Sequence, residues 1–193
     1  MKTYHYVLAI LLILILGSWY YSLKKEVLEN NLYTVYKNES LGFSIKIPKD
    51  FTVDEKYQYQ VNSSTVISGV KFTIPESLKE GTNLSSDTYI SVEAKPGAVN
   101  SCSAEIYLDN SVSSGFIDSG GHRYSMATFS GAAAGNRYDE TVFATPVDGG
   151  CIAVRYFVHY GVFENYPEGS ISRFDEVSLK SLFDSIRETL VLD

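Results

Sequence analysis

The stretch LGFSIKIPKD, residues 41–50, carries the clearest structural pattern in this chain of 193 residues. Its phenylalanine and two isoleucines alternate with a serine and a lysine, and this period of two predicts a β-strand with one apolar face. Pro48 should end the strand, because proline has no N–H to donate to a neighbouring strand. We expect residues 51–57 to form the returning strand.

Similar apolar runs on either side of this stretch predict more strands. They lie over residues 32–36, 66–74, 88–94, 123–129, 137–144 and 152–160. The sequence TPVDGG, residues 145–150, should join the last two strands as a turn, since glycine accepts a positive φ. Residues 75–80 favour a single helical turn and residues 101–108 a short helix, whereas the Ser/Gly-rich residues 111–121 are predicted to be a loop.

The chain closes with a predicted amphipathic helix over about residues 173–190, in which apolar residues recur at helical spacing. Ser172, with Asp175 three residues later, would form an imperfect capping box at its start. Fifteen tyrosines and ten phenylalanines against two methionines also favour pleated sheet positions. These patterns predict an α+β fold, an antiparallel β-sheet with a packed C-terminal helix and short additional helices.

The amino-terminal part contains an apolar run, YVLAILLILILGSW, at residues 6–19. The run is close to the about 20 residues that a spanning helix needs, and aromatic residues flank both of its ends, as at the two membrane interfaces. We therefore predict a signal anchor or transmembrane helix over residues 1–23, a stalk over 24–31 and one extracytoplasmic domain over 32–193. The alternative is a cleaved signal peptide and a secreted domain.

Charge and cysteine content narrow the functional classes. The chain has 23 acidic and 16 basic residues, so its field should repel phosphates, and no nucleic-acid partner is predicted. Cys102 and Cys151 are the only cysteines, and in an exported domain they most simply form a disulfide. Their spacing is too wide for a redox CxxC motif, and two cysteines make only half a zinc site. The disulfide would place the domain outside the cytoplasm, on a single-pass anchor in the cell membrane.

Motifs for catalysis and cofactor binding are missing from the sequence. There is no P-loop, no dinucleotide-binding glycine motif and no cluster of metal-ligating residues, so neither a metal nor another cofactor is predicted. Residues 118–121, DSGG, resemble part of a serine-protease nucleophile motif, but the general base is absent, since only His5 precedes Ser119. We predict that the protein is not an enzyme.

One group of charged residues could still carry a function. If Thr141 lies opposite Arg155 in the hairpin around the TPVDGG turn, then four residues share one face of the sheet: Arg137, Asp139, Arg155 and His159. Such a face could bind an anion or a protein partner, and a solvated ladder of salt bridges is the alternative. A slip of one residue in the register would separate the four residues.

Residues 42–51, GFSIKIPKDF, resemble the opening of bacterial PsbP/Mog1-like domains, although Phe51 stands where that family often has tryptophan. The resemblance implies an antiparallel sheet with packed helices behind a signal or lipoprotein anchor. It also implies a binding or assembly factor, with no catalytic motif to transfer. Our leading hypothesis is a non-catalytic module with a protein partner at the membrane. The alternative is an enzyme or an anion-binding protein that uses the face of Arg137, Asp139, Arg155 and His159.

Overall fold

The computed structural model describes residues 14, 16–20, 24 and 31–193. The chain divides into two compact units, Met1–Thr34 and Val35–Asp193. Within the described part of the chain, no helix is both long and apolar enough to cross a bilayer. Most of the predicted anchor and stalk lies outside the described residues, so that prediction stays untested.

The unit from Val35 onward is built on antiparallel β-structure. Eight strands form one sheet in the order β3-β5-β6-β10-β9-β8-β7, with β4 also pairing with β5, while β1, β2 and β11 form a three-stranded sheet. In chain order the strands are β1 (Tyr33–Asn38), β2 (Phe43–Pro48), β3 (Thr52–Asp54), β4 (Gln58–Asn62), β5 (Thr65–Thr73), β6 (Tyr89–Pro96), β7 (Val112–Ser119), β8 (His122–Ala133), β9 (Asn136–Val147), β10 (Gly150–Gly161) and β11 (Val191–Leu192).

From Val35 onward the helices are few, and all but the 3₁₀ turn at Phe163–Asn165 lie at or near predicted positions. They are α1 (Glu76–Lys79), α2 (Glu176–Arg187) and 3₁₀ turns at Val99–Ser101, Ala104–Tyr107 and Phe163–Asn165. The helix α2 begins three residues later than its predicted start, because its N-cap is Asp175, whose carboxylate accepts the N–H of Ser178 at 2.9 Å. The predicted α+β fold, an antiparallel sheet with a C-terminal helix, is thereby confirmed.

One face of the large sheet, which we call the helical face, carries the main apolar core. The apolar side of β2 packs there, with Phe43, Ile45 and Ile47 at most 1% exposed, as the alternation predicted. The helix α2 contributes Leu179, Phe183 and Ile186 to the same core. Burial of this apolar stripe is the main force that keeps a helix of only 12 residues folded.

The opposite face of the sheet, which we call the strap face, is covered by residues 99–108, the strap. A disulfide between Cys102 and Cys151, with Cα atoms 5.3 Å apart, ties the strap to β10, as predicted. The strap packs over small sheet residues. They are Ala127, Val142, Ala144 and Ala153. Such a bond indicates an oxidising, non-cytoplasmic compartment.

Two predictions for local structure are wrong. Residues 112–119 form an edge strand, not a loop, and a β-bulge between Ser113 and Gly115 accommodates the glycine at φ +91°. The strand that follows Pro48 does not return along β2, because β3 pairs with β5 and β11 pairs with β2 instead. Serine and glycine content is thus no barrier to a strand at the edge of a sheet.

The register of the late hairpin also differs from the prediction. The turn contains two residues, Asp148 and Gly149, between the paired Val147 and Gly150, and Gly149 takes a φ of +79°. A two-residue turn fixes the pairing of every later residue. Arg155 therefore lies opposite Val142 and not opposite Thr141.

Candidate functional site

The one-residue difference in register divides the four residues of the predicted charged face. Arg155 and His159 lie on the strap face, whereas Arg137 and Asp139 point to the helical face. On that side the Asp139 carboxylate accepts hydrogen bonds from Ser130 and Tyr160, and Arg137 is exposed. The four residues therefore do not form one surface.

Arg155 lies at the centre of a buried polar network and is 0% exposed. Its guanidinium donates to both carboxylate oxygens of Glu93, at 2.7 and 2.9 Å, and to Glu140 at 2.5 Å. It also donates to the carbonyl of Tyr107 in the strap at 2.7 Å, and the ring of Tyr59 lies 3.5 Å from the guanidinium carbon. The network thus joins β4, β6, β9, β10 and the strap.

Hydroxyl groups satisfy the remaining acceptors of the two carboxylates. Ser91 and Tyr57 donate to Glu93 at 2.8 and 3.2 Å, and Tyr59 donates to Glu140 at 3.0 Å. Burial opposes the charge of Arg155, but the adjacent carboxylates outweigh it and raise the pKa of Arg155 well above its usual value. Since every face of this guanidinium is already occupied by the protein, Arg155 cannot receive an anionic ligand.

His159 lies at the rim of the same face in a contact with Asp87. Its Nδ1 lies 2.6 Å from the Asp87 carboxylate, and its ring stacks on Tyr138 at 4.5 Å between centroids. Although partial burial opposes it, hydrogen bonds from Ser85 and His159 lower the pKa of Asp87. The other nitrogen, Nε2, is buried and has no hydrogen-bond partner among the described residues. A general base must reach the proton that it abstracts, and this nitrogen faces no accessible site.

The DSGG stretch ends β7 and forms the β7–β8 turn. Ser119 donates to the carboxylate of Glu188 at 3.2 Å, and the neighbouring His122 contacts the carbonyl of Leu190 through Nε2 at 3.1 Å. Both residues therefore join the β7–β8 turn to the end of the chain. Among the described residues, no group of three or more histidine, cysteine or acidic side chains is arranged to hold a metal ion.

A pocket of about 400 Å³ lies where the ends of β7, β8 and β9 meet the disulfide. Its walls include Phe116 and Pro146, with Cys102 of the disulfide beside them. Arg123 lines the pocket from β8, and its guanidinium carbon lies 5.2 Å from the centre of the Phe116 ring. This concave region combines apolar walls with a cationic side chain, which is the composition typical of a small-ligand site.

No family model and no curated protein matches the chain. A solved structure from Bacteroides thetaiotaomicron aligns with 79% of this chain at 13% identity and a TM-score of 0.42. The aligned region is 45% of that protein's length, and a similarity of this degree carries no argument about function. The resemblance to PsbP/Mog1-like domains remains a prediction.

Proposed function

We propose that the chain is a non-catalytic binding or assembly module of an oxidising compartment. The observation that carries this proposal is the use of the reactive side chains within the fold itself. Arg155 is enclosed by Glu93 and Glu140, and His159 keeps its Nε2 buried, so neither is available to act on a substrate. The concave surface beside the disulfide is left for a ligand.

The proposal includes an anchor and a protein partner. The apolar run at residues 6–19 would hold the domain at the outer surface of the membrane, where a disulfide persists. The resemblance of residues 42–51 to PsbP/Mog1-like domains adds the expectation of an assembly factor. The alternative, an enzyme or anion-binding protein using Arg137, Asp139, Arg155 and His159, is weakened because the register separates these residues.

Affinity capture of the full chain from its native membrane tests the proposal. The tagged chain is cross-linked in place and isolated in mild detergent, and the co-purified proteins are quantified by mass spectrometry. The control bait carries residues 1–31 of this chain on an unrelated acidic domain, so that it reports contaminants of the tether. We expect a small set of proteins to be enriched only by the native domain.

Two outcomes would count against a binding module. One is equal recovery of every protein by the two baits in repeated captures. The other is a turnover activity of the purified chain that His159→Ala abolishes, because such a loss would support the enzyme alternative. In the proposed module, His159→Ala leaves the captured partner unchanged.

A further inference from the structure

We propose that the pocket beside the disulfide binds a carboxylate group, which Arg123 holds while an apolar body lies against Phe116 and Pro146. This inference rests on the proposed function, since it names the chemical class that the binding module would recognise. The volume of about 400 Å³ lies in the range of pockets that enclose small molecules or a terminal residue of a peptide.

Arg123 differs from the two buried arginines in what its guanidinium contacts. Arg155 donates to two carboxylates and Arg187 to the carboxylate of Asp184, whereas no described carboxylate lies within 4.0 Å of Arg123. Its contact is instead the ring of Phe116, whose centre lies 5.2 Å from the guanidinium carbon. A contact with an aromatic ring does not use the N–H groups of a guanidinium as hydrogen-bond donors, and the planar edge of the group matches a carboxylate in two parallel hydrogen bonds.

The neighbouring polar groups leave the recognition of charge to Arg123. Ser125 lines the pocket, but its hydroxyl already accepts the N–H of Ala104 and donates to the carbonyl of Ala144. His122 uses Nε2 on the carbonyl of Leu190. Asp118 is the cross-strand neighbour of Arg123 and does not line the pocket. Its negative charge therefore lowers the affinity for an anion but does not block the pocket.

A second concavity of the described region, of about 580 Å³, is lined by Tyr36 and residues 53–56. Its cation is Lys56, whose ammonium lacks the planar fork of Arg123, and its other polar side chains are already paired. Tyr36 donates to Glu55, and Asp54 forms an ion pair with Lys71. The pocket beside the disulfide is therefore the better candidate, and its apolar wall is notable because Phe116 is 70% exposed.

The test is a calorimetric titration of the full chain in detergent micelles with phenylpropionate and with its neutral analogue, phenylpropionamide. We expect the acid to bind at least about ten-fold more tightly than the amide, because a charge-assisted pair of hydrogen bonds is lost in the amide. Arg123→Gln should lower the affinity for the acid by a similar factor and leave the affinity for the amide unchanged. Asp118→Asn should raise the affinity for the acid, since it removes a negative charge near the bound carboxylate.

Arg137→Gln is the matched control, because Arg137 is also an exposed arginine of the sheet but lies outside the pocket. We expect this variant to bind the acid like the unmodified chain, and both glutamine variants to unfold at an unchanged temperature. A short peptide that ends in phenylalanine, with a free or an amidated carboxyl terminus, distinguishes the two sources of the carboxylate. Preference for the free peptide would identify a chain terminus, and preference for phenylpropionate would identify a small acid.

Equal binding of acid and amide would overturn the assignment, and so would equal losses in Arg123→Gln and Arg137→Gln. The assignment would also be overturned if neither phenylpropionate nor the peptide with a free carboxyl terminus bound at all. None of these results removes the binding module itself, because capture of a partner from the native membrane is measured separately. If the Arg123→Gln chain still captures the partner while losing the acid, the pocket and the partner surface are distinct.

Discussion

The two faces of the large sheet are buried by different means. The helical face is covered by apolar side chains of β2 and α2, and its buried Arg187 reaches the half-exposed carboxylate of Asp184 at the rim. The strap face has a floor of small residues, and at its centre Glu93 and Arg155 are both 0% exposed. The helical face is thus covered by apolar side chains, and the centre of the strap face is occupied by ion pairs and hydrogen bonds.

This difference suggests that one face mainly provides the stability of the fold, while the other mainly determines how its elements are positioned. Apolar burial stabilises roughly in proportion to area and tolerates small shifts in packing. A buried ion pair gains little over an apolar core, but loss of one partner costs several kcal/mol because the other charge is left uncompensated. We expect the helical face to supply most of the free energy of folding, and the Arg155 network to fix the positions of β4 and the strap.

The largest expected effect is unfolding in alkali, and it involves both faces. Burial is the main reason for the raised pKa of the five buried tyrosines, and it raises the pKa of one of them, Tyr124, to about 12. The five are Tyr57, Tyr89 and Tyr107 on the strap face and Tyr124 and Tyr156 on the helical face. Because the folded pKa values exceed the unfolded value of about 10, their stabilisation is complete below pH 10 and is lost as the pH rises.

At about pH 11 each of these tyrosines should lower the free energy of unfolding by about 1.4 kcal/mol. The five together should lower it by about 7 kcal/mol, which is comparable to the stability of a whole domain. Titration of tyrosinate absorbance, followed in parallel by circular dichroism, measures this loss. A single cooperative step would show that the two faces unfold together. Two separate steps, with only some buried tyrosines ionising in the first, would show that one face opens alone.

The second prediction breaks the strap face at its centre. Arg155→Met should lower the free energy of unfolding by about 3–5 kcal/mol, because Glu93 and Glu140 are then buried without a cation. Phe183→Ala is the matched variant on the helical face, and it should cost about 3–5 kcal/mol through the cavity that it leaves. Chemical denaturation at neutral pH measures both.

Acid distinguishes the two variants. A protonated carboxyl is far cheaper to bury than a carboxylate, so Arg155→Met should recover part of its loss as the pH falls towards about 5. Phe183→Ala has no such recovery, because a cavity does not titrate. If the two variants keep the same difference from the unmodified chain at every pH, then the charges of the strap face are not what Arg155 compensates.

The helical face was the more predictable of the two. The alternation over residues 41–50 and the helical spacing before the carboxyl terminus identify β2 and α2 as the elements that carry its core. Both patterns are local, and each fixes the side of an element that must be buried. The disulfide was also predictable, because an exported domain with two cysteines leaves one pairing.

The strap face could not be predicted from the same patterns. In β6, Ser91 and Glu93 alternate with Ile90 and Val92, and this arrangement normally indicates a solvated polar face. Only the strap and the ring of Tyr59 in β4 convert that face into an interior, and both come from distant parts of the chain. The prediction of the hairpin register was wrong by one residue, because TPVDGG allows several turn lengths. A shift of one residue decides which face holds Arg155.

The third prediction removes the covalent tie of the strap. Replacement of Cys102 and Cys151 together by alanine should cost about 4 kcal/mol, because the bond closes a loop with a sequence separation of 49 in the unfolded chain. Hydrogen exchange should show faster opening of the strap amides at 104–108, with no change in α2 beyond the global loss. If α2 opens by the same additional amount, the strap is not a separate cooperative unit.

The smallest effect is expected at the rim of the strap face, and it tests how far the cost of a lost carboxylate contact depends on burial. The side chain of Asp87 is 60% exposed, so its contact with His159 is screened by water, and Asp87→Asn should cost at most about 1 kcal/mol at pH 7. Because its hydrogen bonds lower the pKa of Asp87, the contribution is complete above the unfolded value of about 3.9 and disappears as the pH falls through the folded value. The unmodified chain and Asp87→Asn should therefore converge in stability near pH 2, as measured by thermal unfolding over a pH series. A loss at pH 7 as large as that of Arg155→Met would contradict the comparison, because the exposed rim would then depend on its charges as strongly as the enclosed centre does.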